Sequence, residues 1–291
     1  MTRFPLIPGL SNLADQYDCY IIDLWGVMHD GVTAFPAALD CLRELKGRGA
    51  RVIILSNAPR RASEVEARNS ELGIEKELVD LVMSSGELTW QHLKTRRDPF
   101  YRRLGTRCFH LGPDRDHGMR DGLGLTFTQR LTEADFILLT GPREQKDEVE
   151  DYLALLTEAR DLGLPMICAN PDYVVVRGGK REICAGALGL KYAELGGELR
   201  YQGKPDREIY DLCFERLNVS DRGRVLAVGD SLRTDVQGAK GAGVDALFIA
   251  GGIHGEELGM TDGKAPDAQK LAAMIAAAPA RPDAVMTKLF W

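Results

Sequence analysis

Short apolar runs alternate with charged, amphipathic stretches along most of this chain. Residues 20–24 predict a buried strand, and residues 37–46, with Leu39, Leu42 and Leu45 on one face, predict a helix ended by Gly47 and Gly49. Residues 51–55 predict a second strand, 62–72 a charged helix and 81–84 a short apolar run. Near the other end, 224–228, 234–242 and 246–250 repeat strand, helix, strand. This alternation predicts an α/β fold: a doubly wound parallel sheet with right-handed crossovers and helices on both faces.

The middle of the chain has its own series: strand-like runs at 108–111, 136–140, 165–169 and 173–176, and a helix at 146–160. Residues with candidate chemistry lie on both sides of it, Ser56 before and Lys204 after. The expectation is therefore a discontinuous core (1–84 and 201–291) into which a second α/β unit (85–200) is inserted as a cap. The Gly-rich stretch 178–197 predicts loops and a return path. The Ala-rich stretch 272–280 predicts a terminal helix, and 283–291 is apolar enough to dock.

Composition adds exclusions. With 291 residues, 44% hydrophobic and 27% charged, the chain can bury a sizeable core. A net charge of −6 without an offsetting Lys/Arg cluster argues against a nucleic-acid partner, and Arg96, Arg97, Arg102 and Arg103 read as a solvated helix face. The six cysteines are widely spaced, which predicts buried free thiols in a reducing compartment. Residues 1–17 hold no apolar signal core and no run reaches a membrane span, so a cytoplasmic protein with no membrane partner is expected.

Asp23, Ser56 and Asp230 each directly follow a strand-like run, and ligands of open parallel sheets gather at the carboxyl ends of the strands. A carboxylate facing a phosphoryl dianion needs a hard cation between them. Mg²⁺ suits that role, with Asp23 and Asp230 as direct ligands and the Trp25 backbone carbonyl as a third. Asp235 reads either as an outer group orienting metal-bound water or a neighbouring side chain, or as a helix first-turn acid. Ser56 and Asn57 offer a hydroxyl and an amide to phosphoryl oxygens, although either alone also reads as a capping turn before Pro59. Lys204 sits between Gly203 and Pro205, and Pro205 suits the first position of a helix over 206–217; an ammonium beside a helix N-terminus favours an anion.

The ordered set Asp23-Leu-Trp-Gly26, Ser56-Asn57, Gly203-Lys-Pro205 and Gly229-Asp-Ser-Leu-Arg-Thr-Asp235 resembles the signature motifs of the haloacid dehalogenase superfamily. The Ala169-Asn-Pro-Asp172 and Cys184-Ala-Gly-Ala187 stretches make the chain most similar to the NagD-type branch, class IIA, over nearly its whole length. The resemblance implies a Mg²⁺-dependent phosphatase of a small phosphorylated metabolite. Asp23 is then the nucleophile that becomes an aspartyl phosphate, Lys204 the charge stabiliser and Asp230 a metal ligand. Ser56, Asn57 and the Gly26 region would hold the phosphoryl group, and Ser231 would stand beside Asp235. Asn170, Asp172 and Arg177 would be cap residues near the substrate, unless Asn-Pro-Asp is a plain turn. A cap-to-cap homodimer is also compatible with the resemblance.

Trp25 departs from the pattern, because most phosphatases of the superfamily carry a second Asp there as general acid and base. An indole N–H does neither job near neutral pH. Three readings stay open: another group takes over (His29, Asp30, His110, His117 or Asp172), only activated phosphates are hydrolysed, or the chain binds a phosphorylated ligand without turnover as a sensor. Metal-independent dehalogenation is a further alternative, opposed by the cost of placing Asp230 and Asp235 beside Asp23 with nothing to neutralise them.

Overall fold

The computed structural model describes residues 5–260 and 264–291; residues 1–4 and 261–263, which fall in the two segments assigned to the core, lie outside the described residues. In chain order the first elements are β1 (Cys19–Ile22), α1 (Pro36–Gly47), β2 (Arg51–Ser56), α2 (Ala62–Glu71), β3 (Leu81–Ser84), α3 (Ser85–Thr95) and α4 (Pro99–Arg103). Next come β4 (Arg107–Leu111), β5 (Thr126–Thr128), β6 (Phe136–Leu139), α5 (Leu153–Asp161), β7 (Met166–Cys168), β8 (Val174–Arg177), β9 (Lys180–Ile183), α6 (Ala185–Glu194) and β10 (Leu199–Tyr201). The chain then continues through α7 (Arg207–Leu217), β11 (Val225–Gly229), α8 (Gln237–Ala242), β12 (Asp245–Ile249), α9 (Ala268–Ala277) and β13 (Ala284–Met286).

Six strands form one parallel sheet in the order β13-β12-β11-β1-β2-β3. Its side chains alternate faces as strand geometry dictates. Tyr20, Ile22, Val52, Ile54, Leu226 and Val228 pack with Leu42 and Leu45 of α1 and Val65 of α2. Cys19, Ile21, Ile53, Leu55, Val225 and Ala227 pack with Tyr210 and Phe214 of α7 and Ile275 of α9. Both faces are covered, which is why these strands read as continuous apolar runs.

A second parallel sheet, ordered β10-β7-β6-β4-β5, lies between β3 and α7 in sequence. One of its faces packs on α5 and α6 through Leu156, Leu188 and Tyr192, the other on α3 and α4 through Leu93, Phe100 and Tyr101. Strands β8 and β9 stand apart as an antiparallel hairpin. No helix among the described residues is long and apolar enough to cross a membrane. All six cysteines are buried and free, as their spacing predicts.

Several elements differ from the expectations above. The stretch 178–197 holds β9 and α6 rather than mainly loops. Residues 146–148 stay outside the helix expected there: the Asp147 carboxylate accepts from Glu144 N and the Tyr152 hydroxyl, and a 3-10 turn over Val149–Tyr152 leads into α5. Pro205 precedes helix α7, whose N-cap is Asp206 accepting from Glu208 N at 3.0 Å. Arg96 turns off the end of α3 in a left-handed conformation to donate to the Gly105 carbonyl, so it is not on a helix face. The terminal stretch docks by supplying β13, with Leu289 buried beyond it.

Candidate active site

Strand register brings the site together. Ile22 pairs with both Ile54 and Val228, so Asp23, Ser56 and Asp230 emerge at one sheet edge. The Asp23 N–H donates to the Val228 carbonyl at 2.9 Å, fixing the turn that presents its carboxylate. Lys204 arrives from the end of the second sheet. Its ammonium donates to Asp23 Oδ1 at 2.6 Å, Asp235 Oδ1 at 2.7 Å and the Leu55 carbonyl at 2.8 Å. All three of its protons are thereby used, with the side chain 3% exposed.

Asp23, Asp230 and Asp235 each place a carboxylate oxygen within 4.8 Å of the others. Burial pushes Asp23 up to about 7, with Lys204 pulling it back and Asp235 adding to the rise. Burial, then Asp23 and Asp235, hold Asp230 well above the usual carboxylate range. Burial alone would lower Lys204, but Asp23 and Asp235 outweigh it and keep the ammonium charged. Three carboxylates against one ammonium leave a negative excess that a divalent cation would neutralise.

The donor set fits such an ion. Asp235 has both oxygens engaged, Oδ1 by Lys204 and Oδ2 by Ser231 N at 3.0 Å. Asp230 Oδ2 accepts from Ile253 N at 2.7 Å. Asp23 Oδ2 and Asp230 Oδ1 carry no hydrogen bond among the described residues, so each has an oxygen to give. Two glycines make room: a Cβ at Gly26 would lie 1.9 Å from Asp230 Oδ2, and one at Gly252 2.1 Å from it.

The remaining predicted residues fall into two groups. Ser56 is buried; its Oγ accepts from Ala58 N at 3.2 Å and its own proton is uncommitted among the described residues. Asn57 has its amide fully engaged, Oδ1 accepting from Lys204 N at 2.8 Å and Nδ2 donating to Asp172 Oδ1 at 2.9 Å and to the Lys204 carbonyl at 3.1 Å. Its side chain thus ties down the Lys204 backbone while the residue lines the cavity. The Gly26 N–H is likewise engaged, donating to the His29 carbonyl at 2.9 Å. Asn170 and Asp172 form a side-chain turn, Asp172 N donating to Asn170 Oδ1 at 2.9 Å, and that turn lines the cavity through both residues. Ser231 caps the turn leading to α8, accepting from Thr234 N.

The Trp25 ring packs edge-on against His29 (centroids 5.1 Å apart), and the Arg177 guanidinium of β8 lies 4.8 Å above it. The residues named above as candidates for a general acid are each constrained. Burial pulls His29 down to about 4, and its Nδ1 accepts from Gly31 N. Burial raises Asp30, but the Thr33 and Val32 amides outweigh it and leave the carboxyl below its usual range. His110 pairs with Thr140 Oγ1 and is lowered by burial to about 4. His117 is exposed, on the 3-10 turn after β4. Burial raises Asp172 despite Lys204 and Asn57, which leaves it the candidate that most favours a proton.

Trp25, His29, Asp30, Asp172 and Arg177 line one cavity of about 710 Å³ together with Asp23, Lys204 and Asp230, whereas His110 and His117 are outside its lining. Arg60, Arg115 and Asp116 line it too and were not singled out from the sequence. Arg60 lies only four residues after Ser56, but nothing local signals that its partner Asp116 comes from the inserted unit.

Comparison with known proteins agrees with this architecture. Family profiles described as haloacid dehalogenase-like hydrolase match residues 20–126 and 84–243. A crystal structure of a haloacid dehalogenase-like hydrolase from Brucella suis superposes with a TM-score of 0.84 at 34% identity, covering 98% of this chain and 100% of that one. A D-glycerol 3-phosphate phosphatase of Mycobacterium tuberculosis is 26% identical over 257 residues, 84% of this chain and 66% of the relative. A glycerol phosphate phosphatase structure from the same organism, in complex with magnesium, has a TM-score of 0.67 at 23% identity over 94% of this chain and 75% of that one. With the second profile covering more than half the sequence and the Brucella structure matched end to end, this chain belongs to the haloacid dehalogenase-like hydrolases.

Proposed function

We propose that the protein is a Mg²⁺-dependent phosphatase of a small phosphorylated metabolite, with Asp23 as nucleophile and the second sheet with its hairpin as the cap. The observation that carries this reading is the Lys204 ammonium shared between Asp23 and Asp235, with Asp230 beside them. Mg²⁺ would be held by Asp23, Asp230 and the Trp25 carbonyl, and when bound it supplies the positive charge that lets a carboxylate approach a phosphoryl dianion. The phosphatases and the magnesium complex among the relatives support the same choice.

In this reading Lys204 orients Asp23 and offsets charge on the phosphoryl group, while Asn57 holds the Lys204 backbone. The Ser56 hydroxyl donates to a phosphoryl oxygen. Asp23 attacks phosphorus, the P–O bond to the leaving group breaks, and water later hydrolyses the aspartyl phosphate. Trp25 gives no proton to the departing oxygen, so poor leaving groups lose about 10²–10⁴ in rate while aryl leaving groups lose less.

The test compares p-nitrophenyl phosphate with an alkyl sugar phosphate, with Mg²⁺ and with chelator, in wild type and Asp23→Asn. Aryl turnover needing Mg²⁺, falling by about 10³ or more in Asp23→Asn and exceeding alkyl turnover, is the expected result. Comparable alkyl turnover would show that another group, Asp172 first, supplies the proton. The Trp25 ring also favours a second reading, a ligand-binding protein without turnover. That reading requires thermal stabilisation by a phosphorylated ligand together with silence on both substrates.

A further inference from the structure

Six arginines line the cavity: Arg68, Arg181 and Arg233, and three from separate elements near the 3-10 turn after β4 and the hairpin, Arg60, Arg115 and Arg177. Arg60 follows the Ser56 turn, Arg115 belongs to the 3-10 turn after β4, and Arg177 ends β8. Two of them are already matched. Arg60 Nε lies 3.0 Å from Asp116 Oδ1, with Asp116 2% exposed, and Arg177 Nε lies 3.1 Å from Glu182 Oε2. Arg115, next to Asp116 in sequence, has no ion-pair or hydrogen-bond partner for its guanidinium among the described residues. Its side chain reaches the cavity's water. Even so, the surrounding protein lowers its pKa, Asp116 and Glu182 opposing and Arg60 and Arg177 adding to the fall.

The cavity lining thus carries at Arg115 a positive charge without an ion-pair partner among the described residues; Arg181 of β9 has none either, but Arg115 is the one beside the Arg60–Asp116 pair. A planar guanidinium is suited to a carboxylate, which it can bind through two parallel hydrogen bonds. An uncharged sugar or glycerol tail would leave Arg115 unmatched in the closed complex. A tail bearing one negative charge would match it, while Arg60 and Arg177 keep their own partners. We infer that Arg115 forms a subsite for a second anionic group, a carboxylate, at the end of the substrate remote from the phosphate. This inference rests on the phosphatase reading and narrows its substrate class to carboxylated phosphomonoesters.

The experiment compares 3-phosphoglycerate with glycerol 3-phosphate, which share a carbon skeleton and differ in one carboxylate, both with Mg²⁺. Wild type, Arg115→Gln and Arg115→Lys are assayed for kcat/KM, with melting temperatures recorded for each. The expected wild-type ratio favours 3-phosphoglycerate by about tenfold or more, the gain of one charge-assisted contact. Arg115→Gln should bring that ratio close to one, mainly through KM, and Arg115→Lys should restore part of it. A wild-type ratio near one, or a ratio untouched by Arg115→Gln in a protein of unchanged melting temperature, overturns the subsite. Were Arg115→Gln to unfold, the wild-type ratio alone decides. Absence of turnover on these substrates and on p-nitrophenyl phosphate would overturn the phosphatase reading instead. Ligand-induced thermal stabilisation would then judge the subsite: a larger shift with 3-phosphoglycerate that Arg115→Gln removes upholds it, and equal shifts overturn it.

Discussion

Lys204 uses every proton of its ammonium inside the protein, on Asp23, Asp235 and the Leu55 carbonyl, so the carboxylates depend on it as much as it depends on them. Lys204→Met would keep the stem and strand two buried acids. Removing one member of a buried ion pair costs about 3–5 kcal/mol, and this loss should appear in urea unfolding without Mg²⁺ and shrink when Mg²⁺ is added. A loss independent of Mg²⁺ would mean the acids relax without a cation. His29 makes a separate prediction. Its folded pKa of about 4 lies below the ordinary 6.5, so in that window the unfolded chain binds the proton first. The stability it contributes is fully present above 6.5 and is lost as pH falls towards 4, an effect of about 3 kcal/mol. His29→Gln should therefore flatten the stability profile between those values, and an equally steep profile would contradict the buried neutral imidazole.

At the scale of elements, the loop after β12 shapes the site from behind, sending Ile253 N to Asp230 and keeping Gly252 bare beside it. A Cβ at Gly252 would stand 2.4 Å from the Asp230 Cβ as well as 2.1 Å from Oδ2, so Asp230 must move. Gly252→Ala should raise the Mg²⁺ concentration for half-maximal activity by about tenfold or more while the protein stays folded. Unchanged Mg²⁺ dependence would remove Asp230 from the ligand set. That loop also marks the limit of what the sequence tells. Asp23, Ser56, Lys204 and Asp230 were legible because each directly follows a strand or a Gly at the sheet edge, where local pattern and chemistry coincide. The side-chain partners of Asn57 were not, because they are fixed only by tertiary packing: Asn57 holds a residue 147 positions away. Among the elements, the long core strands and amphipathic helices were visible. The strands β5 and β10 and the hairpin partner β9 were not, since three or four residues of mixed polarity carry no period.

Across the whole molecule, polar contacts join the inserted unit to the core, beside Leu88 of α3, which packs among the core's Ile53 and Met83. Arg60 pairs with Asp116, Asn57 with Asp172, Arg233 donates to the Pro171 carbonyl at 2.6 Å, and Gly178 N donates to the Asp30 carbonyl at 3.2 Å. Contacts of this kind are individually modest. The Arg177 guanidinium over the Trp25 ring belongs to the same set, but it joins the hairpin to an indole at the heart of the site. Of the chain's three tryptophans, Trp90 lies under Arg61 and Trp291 near Arg48, both away from the cavity. Intrinsic fluorescence therefore carries a component from Trp25 set by whether the hairpin is seated, beside one from Trp90, which the core's Arg61 covers at 3.6 Å. Opening or ligand entry should shift the emission of wild type more than that of Trp25→Phe; an equal response from both would place the moving part elsewhere. Trp25, where the sequence departs from the motif it resembles, thus doubles as an optical gauge of whether the hairpin is seated.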